Sequence, residues 1–145
     1  MIFRTPKLLS ALMMGALGLL QAATCAAESP DAATAAPTEA VRVMLEALAA
    51  EAAEPFTAEA GYRTWYRVEA NGRSCTTCHG ETLTVPGRHE KTGKPIEPMA
   101  RSVNPERLTE RKMMDKWFLR NCKWTYGREC TAQEKGDILV WLSGQ

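Results

Sequence analysis

Ser74-Cys75-Thr76-Thr77-Cys78-His79-Gly80 places two cysteines and a histidine at positions i, i+3 and i+4. On a helical turn these fall on one face, so two thiols and an imidazole point the same way. A thioredoxin-like redox pair sits in a β-α-β setting, and no run around this motif alternates as a strand does. A structural zinc site needs a second close pair, which the spacing of Cys122, Cys130 and His89 does not supply. The remaining pattern is c-type haem attachment, with thioethers at Cys75 and Cys78 and His79 as the ligand on one face of the iron. One such motif predicts one haem c. Two covalent bonds also let a small domain keep a cofactor that its modest core could not hold alone.

The N-terminus sets the compartment. Arg4 and Lys7 precede an apolar stretch from Leu8 to Leu20, which runs into the small residues around Thr24-Cys25-Ala26-Ala27. That pattern predicts a secretory signal peptide over residues 1–27, export to the periplasm, and no stable membrane insertion after cleavage. The rival reading, a lipoprotein signal acylated at Cys25, lacks the usual residues at Ala22-Ala23-Thr24. Removing 27 of the 145 residues leaves 118, with four cysteines in a compartment that permits disulfides. Glu28 to Ala60 holds seven acids and one base, whereas Gly61 to Gln145 holds ten acids and fifteen bases. The basic part suits an acidic protein partner, and nothing in the charge pattern points to nucleic acid.

Residues 28–37 lack apolar periodicity and read as a flexible leader, so the predicted domain spans 38–145. Val41, Met44, Leu45 and Leu48 predict a first amphipathic helix beginning near Thr38 and ending before Pro55. A second is predicted from Thr57 to Val68, with Gly61, Trp65 and Val68 on one side, and Asn71-Gly72-Arg73 breaks it. Prolines and glycines from Val85 to Pro105 predict a long wrapping loop. Asn104-Pro105-Glu106 and Thr109 are candidate starts for a helix carrying Met113, Met114, Trp117 and Phe118 up to Asn121. Thr131-Ala132-Gln133-Glu134 is a capping box that opens the last helix, with Ile138, Leu139, Trp141 and Leu142 on it. No stretch reads as a strand, so the predicted fold class is all-α.

For the other face of the iron the residues leave several candidates. Met99 follows Pro98 in a stiff segment, Met113 and Met114 are helical residues suited to packing, and His89 lies in a polar loop. Methionine there would make a simple electron-transfer cytochrome. Cys122 and Cys130, the thiols that remain, would close a short loop directly after Asn121.

Ser74 to Gly80, Thr92-Gly93-Lys94 with Ile96 and Pro98, Lys116-Trp117, Arg120-Asn121-Cys122, Gly127-Arg128, Cys130-Thr131, Glu134-Lys135 and Trp141-Leu142 together resemble the SHP-type family of oxygen-binding class I cytochromes c. The resemblance covers Ser74 to Leu142 closely and the earlier helices loosely. It implies the class I cytochrome c fold, helices wrapped round one haem, with a disulfide between Cys122 and Cys130. It also implies that the sixth ligand is Asn121 and that Met99 is a packing residue. The function implied is a redox protein that takes electrons from another cytochrome, a dihaem c-type protein being one kind, and binds O2 or NO once reduced. No second metal or general acid near the distal position suggests a turnover enzyme. The bulky Trp124-Thr125-Tyr126 between the paired cysteines departs from the family's pattern and bears on gas access.

Overall fold

Threonines open three helices of the computed structural model, which describes Met1 and residues 36–145. The predicted signal peptide, and all but the last two residues of the predicted leader, lie outside the described residues. Thr38, Thr57 and Thr131 each accept a backbone N–H three residues on, from Val41, Ala60 and Glu134 at 3.2, 3.1 and 3.1 Å. These bonds satisfy donors that a helix start leaves orphaned. They begin α1 (Glu39–Ala49), α2 (Ala58–Tyr66) and the last helix, α5 (Ala132–Ser143). Between them lie α3 (Thr76–His79), the two-residue strands β1 (Gly87–Arg88) and β2 (Pro95–Ile96), and α4 (Arg111–Tyr126).

The capping box at the start of α5 is complete, because Thr131 N–H also donates to Glu134 at 3.0 Å. The Glu134 carboxylate takes two further bonds from Arg128, at 2.7 and 2.8 Å, and one from Arg67 at 3.2 Å. Arg128 above all, then Thr131 N–H and Arg67, hold its carboxyl at about 2 against the opposing effect of partial burial. A carboxylate depressed in the folded state stabilises the fold above its unfolded value and loses that effect as pH falls through its folded value. Glu134→Gln should therefore cost about 1–2 kcal/mol at neutral pH, the range for a hydrogen-bonded network with half-exposed arginines. The difference should fade between the ordinary carboxylate value of 4.5 and about 2. Urea unfolding of both proteins across that range measures it.

α2 crosses α5 at Gly61. A Cβ on Gly61 would lie 2.1 Å from the Asp137 carbonyl oxygen and 2.7 Å from Trp141 Cβ, so glycine alone allows the two backbones this close. Asp137 sits at the same crossing and accepts Thr57 N–H at 2.8 Å, which ties the start of α2 to α5. Trp65, Leu83, Ala100, Ile138, Trp141 and Leu142 form one buried cluster, and Val41, Met44, Met114 and Leu139 form a second, where α1 and α4 meet α5.

Several boundaries differ from expectation. α2 stops at Tyr66, and Val68 is 67% exposed instead of lying on the buried side. The wrapping loop contains a minimal antiparallel ladder, Gly87 opposite Ile96 and Arg88 opposite Pro95, where no strand is predicted. Asn104-Pro105-Glu106 forms turns and no helix. Leu108 there adopts φ 63°, which a leucine takes only under tertiary constraint. Its side chain packs against both clusters and its carbonyl accepts the Thr38 hydroxyl. α4 does not end at Asn121 but continues through Cys122 to Tyr126, where Gly127 at φ 69° stops it.

Candidate haem site

A cavity of about 840 Å³ lies between α3, the wrapping loop and α4. That is the size and largely apolar character of a cofactor pocket. Cys75, Cys78 and His79 line it together, on the short helix the motif predicts. The two thiols are not bonded to each other, although Cys122 and Cys130 are, with Cα atoms 5.5 Å apart. Gly87 brings β1 against the motif, since a Cβ there would lie 2.3 Å from the Cys78 carbonyl oxygen.

The His79 ring lies against Trp65, centroids 5.1 Å apart, and Trp65 in turn lies 5.4 Å from Trp141, so the α2–α5 crossing supports the imidazole from behind. Burial chiefly, and the charge of Arg107, pull His79 down to about 4, which keeps the ring neutral and able to ligate. Its Nδ1 is sealed without a partner among the described residues, leaving Nε2 as the nitrogen available to a metal. Trp65 Nε1 is likewise buried and unpartnered. Two thiols facing a neutral imidazole in an apolar cavity of this size fit a covalently held haem.

The candidates for the second axial position separate by location. His89 lines the cavity, but its Nδ1 accepts N–H from Lys91 at 3.2 Å and Thr92 at 3.3 Å. Those bonds occupy the Nδ1 lone pair and tie the ring to its own turn. Met99 packs against the cluster that holds Trp65, and its backbone N–H donates to Leu83 at 2.9 Å. Its side chain also lines the cavity, so its place leaves it within the same pocket as Asn121. Met114 is buried in the second cluster and touches the cavity wall. Met113 lines the cavity but is 40% exposed at its rim.

Asn121 also lines the cavity, on a face of α4 that carries Met114, Trp117, Phe118 and Thr125 at helical spacing. Its amide makes no hydrogen bond with any described side chain or backbone group. Cys122, next in the chain, is held by the disulfide, so the backbone beneath the amide is pinned.

Trp124 and Tyr126 stand in the last turn of α4 and not in a loop. Arg73 donates to the Trp124 carbonyl at 3.1 Å and stacks 4.4 Å from its ring, and Asn71 donates to the Thr125 carbonyl at 3.0 Å. These side chains satisfy carbonyls that the helix end leaves free, and tie α4 to the turn before Cys75. The Tyr126 hydroxyl donates to the Thr64 carbonyl at 2.8 Å and lies 3.6 Å from Cys75 Sγ. Both bulky rings are therefore anchored on the thiol side. Arg107, with its bonds to the Pro98 and Glu97 carbonyls, has no signal in the sequence that marks it as a neighbour of His79.

Residues 51–142 match the family described as Domain of unknown function (DUF1924). The cytochrome c-type protein SHP of Cereibacter sphaeroides is 42% identical over 100 residues, covering 66% of this chain and 77% of that one. Cytochrome c'' of Methylophilus methylotrophus is 30% identical over 69 residues, 48% of each chain. Among solved structures, oxidised SHP, an oxygen-binding cytochrome c, superposes with TM-score 0.67 at 38% identity, covering 72% of this chain and 96% of that one. Oxidised cytochrome c'' follows the same fold at TM-score 0.60 and 24% identity, covering 71% and 92%. With its helices in the class I cytochrome c arrangement and one covalent haem c as its cofactor, this chain belongs to the SHP-type family of c-type cytochromes.

Proposed function

We propose that the protein is an exported, periplasmic redox cytochrome that accepts electrons from another cytochrome and, once reduced, binds a diatomic gas in place of Asn121. Export entails cleavage after Ala27 and a mature chain that begins at Glu28. Cys75 and Cys78 form the thioethers, and His79 Nε2 is the permanent axial ligand. The haem supplies a redox-active iron that in its ferrous state takes O2 or NO. The oxygen-binding SHP relative supports the gas.

The observation that carries this reading is the unpaired amide of Asn121 on the cavity face of α4. An amide oxygen is a hard, weak donor, adequate for ferric iron and poorly matched to the softer ferrous ion. Reduction would therefore favour release of Asn121, while the disulfide at Cys122 would keep its backbone on the cavity face of α4. From there its NH2 would be a hydrogen-bond donor available to a gas bound to the haem.

Absorption spectra of ferric and ferrous protein, with and without carbon monoxide, test it on Asn121→Ala, Met99→Ala and Met113→Ala. Asn121→Ala should change the ferric spectrum and speed carbon monoxide binding at least about tenfold, equivalent to removing roughly 1.4 kcal/mol of competition. Met99→Ala and Met113→Ala should leave both unchanged. A methionine variant that opens the iron while Asn121→Ala does nothing would make the protein a simple electron shuttle.

A further inference from the structure

α4 carries Arg111, Lys112, Lys116, Arg120 and Lys123 against a single acid, Asp115. Arg111 is paired with Asp115 at 3.6 Å and Lys123 with Glu129 at 3.1 Å. Among the described residues, Lys112, Lys116 and Arg120 have no carboxylate within ion-pair distance, and all three are exposed. Steps of four put them in one row along the helix, where like charges repel. Arg111 and Lys112 also occupy the first turn, which holds no acid and where the helix dipole disfavours cations. Helix stability does not account for this row.

Beside it run Met113 and Trp117, 40% and 43% exposed, which also line the haem cavity and so form part of its rim. Lys116 Nζ and the Arg120 guanidinium carbon lie 5.1 and 5.6 Å from the Trp117 ring centre. A half-exposed tryptophan bracketed by unpaired cations has the make-up of an interface anchor with a steering rim. Its position at the cavity mouth gives a docked protein a short path to the cofactor.

We propose that this face of α4 docks an acidic redox protein, with Trp117 as the apolar centre and Lys112, Lys116 and Arg120 as the charges that orient it. The inference rests on the redox reading above. The partner's reduced centre gives up one electron and the ferric protein takes it; no bond forms between the two proteins, and any release of Asn121 follows the transfer.

An acidic flavodoxin serves as the probe, in its oxidised form for binding and as the hydroquinone for reduction of the haem protein. Lys112→Glu/Lys116→Glu is the test variant. It places an acid in the first turn of α4 and breaks the like-charge row, so the helix is not weakened. Arg42→Glu/Arg63→Glu, on α1 and α2, makes the same change in net charge elsewhere. The test variant should bind oxidised flavodoxin at least about tenfold more weakly at low salt, be reduced correspondingly more slowly, and show a flatter dependence on ionic strength. The control should stay within about twofold of the parent. Durohydroquinone, small and uncharged, should reduce all three at one rate. Equal weakening in both variants would assign the effect to net charge, and no weakening in the test variant, or no binding by the parent, would overturn the docking face. A parent protein whose haem even excess dithionite cannot reduce would sink the redox reading instead, while the binding arm still decides the surface.

Discussion

Trp141→Ala is expected to cost about 3–5 kcal/mol of folding stability, the range for deleting a buried tryptophan. Trp141 is 8% exposed at the α2–α5 crossing, where Gly61 leaves room for it. Its ring lies 5.4 Å from Trp65 and 5.9 Å from both Tyr62 and Tyr66, so removal strips one aromatic contact from each of three neighbours on α2. These pairs add to the loss from burial alone. Because Trp65 also backs His79, the cavity left behind should loosen the imidazole. Urea unfolding of the holoprotein measures the first effect, and broadening of the ferric absorption bands reports the second. A cost below about 1 kcal/mol, the usual size of a surface substitution's effect or little more, would mean that the crossing is not where the domain draws its stability.

Loss of the disulfide has the next largest expected effect. The cysteines are eight residues apart, and a loop this short restricts the unfolded chain by roughly 2–3 kcal/mol in the chain-entropy account. Cys122→Ser/Cys130→Ser should lower stability by that amount in urea titration, with the midpoint moving and the slope little changed. The bond also ties the last turns of α4 to Cys130, the residue before the N-cap of α5, directly beside Asn121. Its removal should therefore alter the ferric spectrum even under conditions where the domain stays folded. An unchanged spectrum would mean that Asn71 and Arg73, which hold the carbonyls of Thr125 and Trp124, suffice to position Asn121.

Local chemistry made much of the site legible. The thiols and imidazole of Cys75, Cys78 and His79 converge because a single helical turn brings i, i+3 and i+4 together, whatever surrounds it. Thr38, Thr57 and Thr131 announced helix starts because each cap is a bond between residues three apart. The stretch from Asn104 misled for the opposite reason. Its sequence suits a helix start, yet contacts of Leu108 with both buried clusters and with Thr38, seventy residues away, hold the chain in turns.

Asn121 shows the same division within one helix. As a residue type it is an ordinary helix terminator, and only the continuation of α4 to Gly127 turns it into a mid-helix amide facing a cavity. His89 and Met99 are candidate ligands by type alone. The turn at Lys91 and Thr92 takes up the Nδ1 of His89, and Met99 both packs against the Trp65 cluster and lines the cavity. The sequence by itself determined the cofactor, the convergence of Cys75, Cys78 and His79 and most helix starts, since these depend on groups within about one helical turn of each other. The tertiary structure alone decided which donor is left unpaired in the cavity and which cations stay unpaired at its rim, because both depend on neighbours that burial and packing bring from distant parts of the chain.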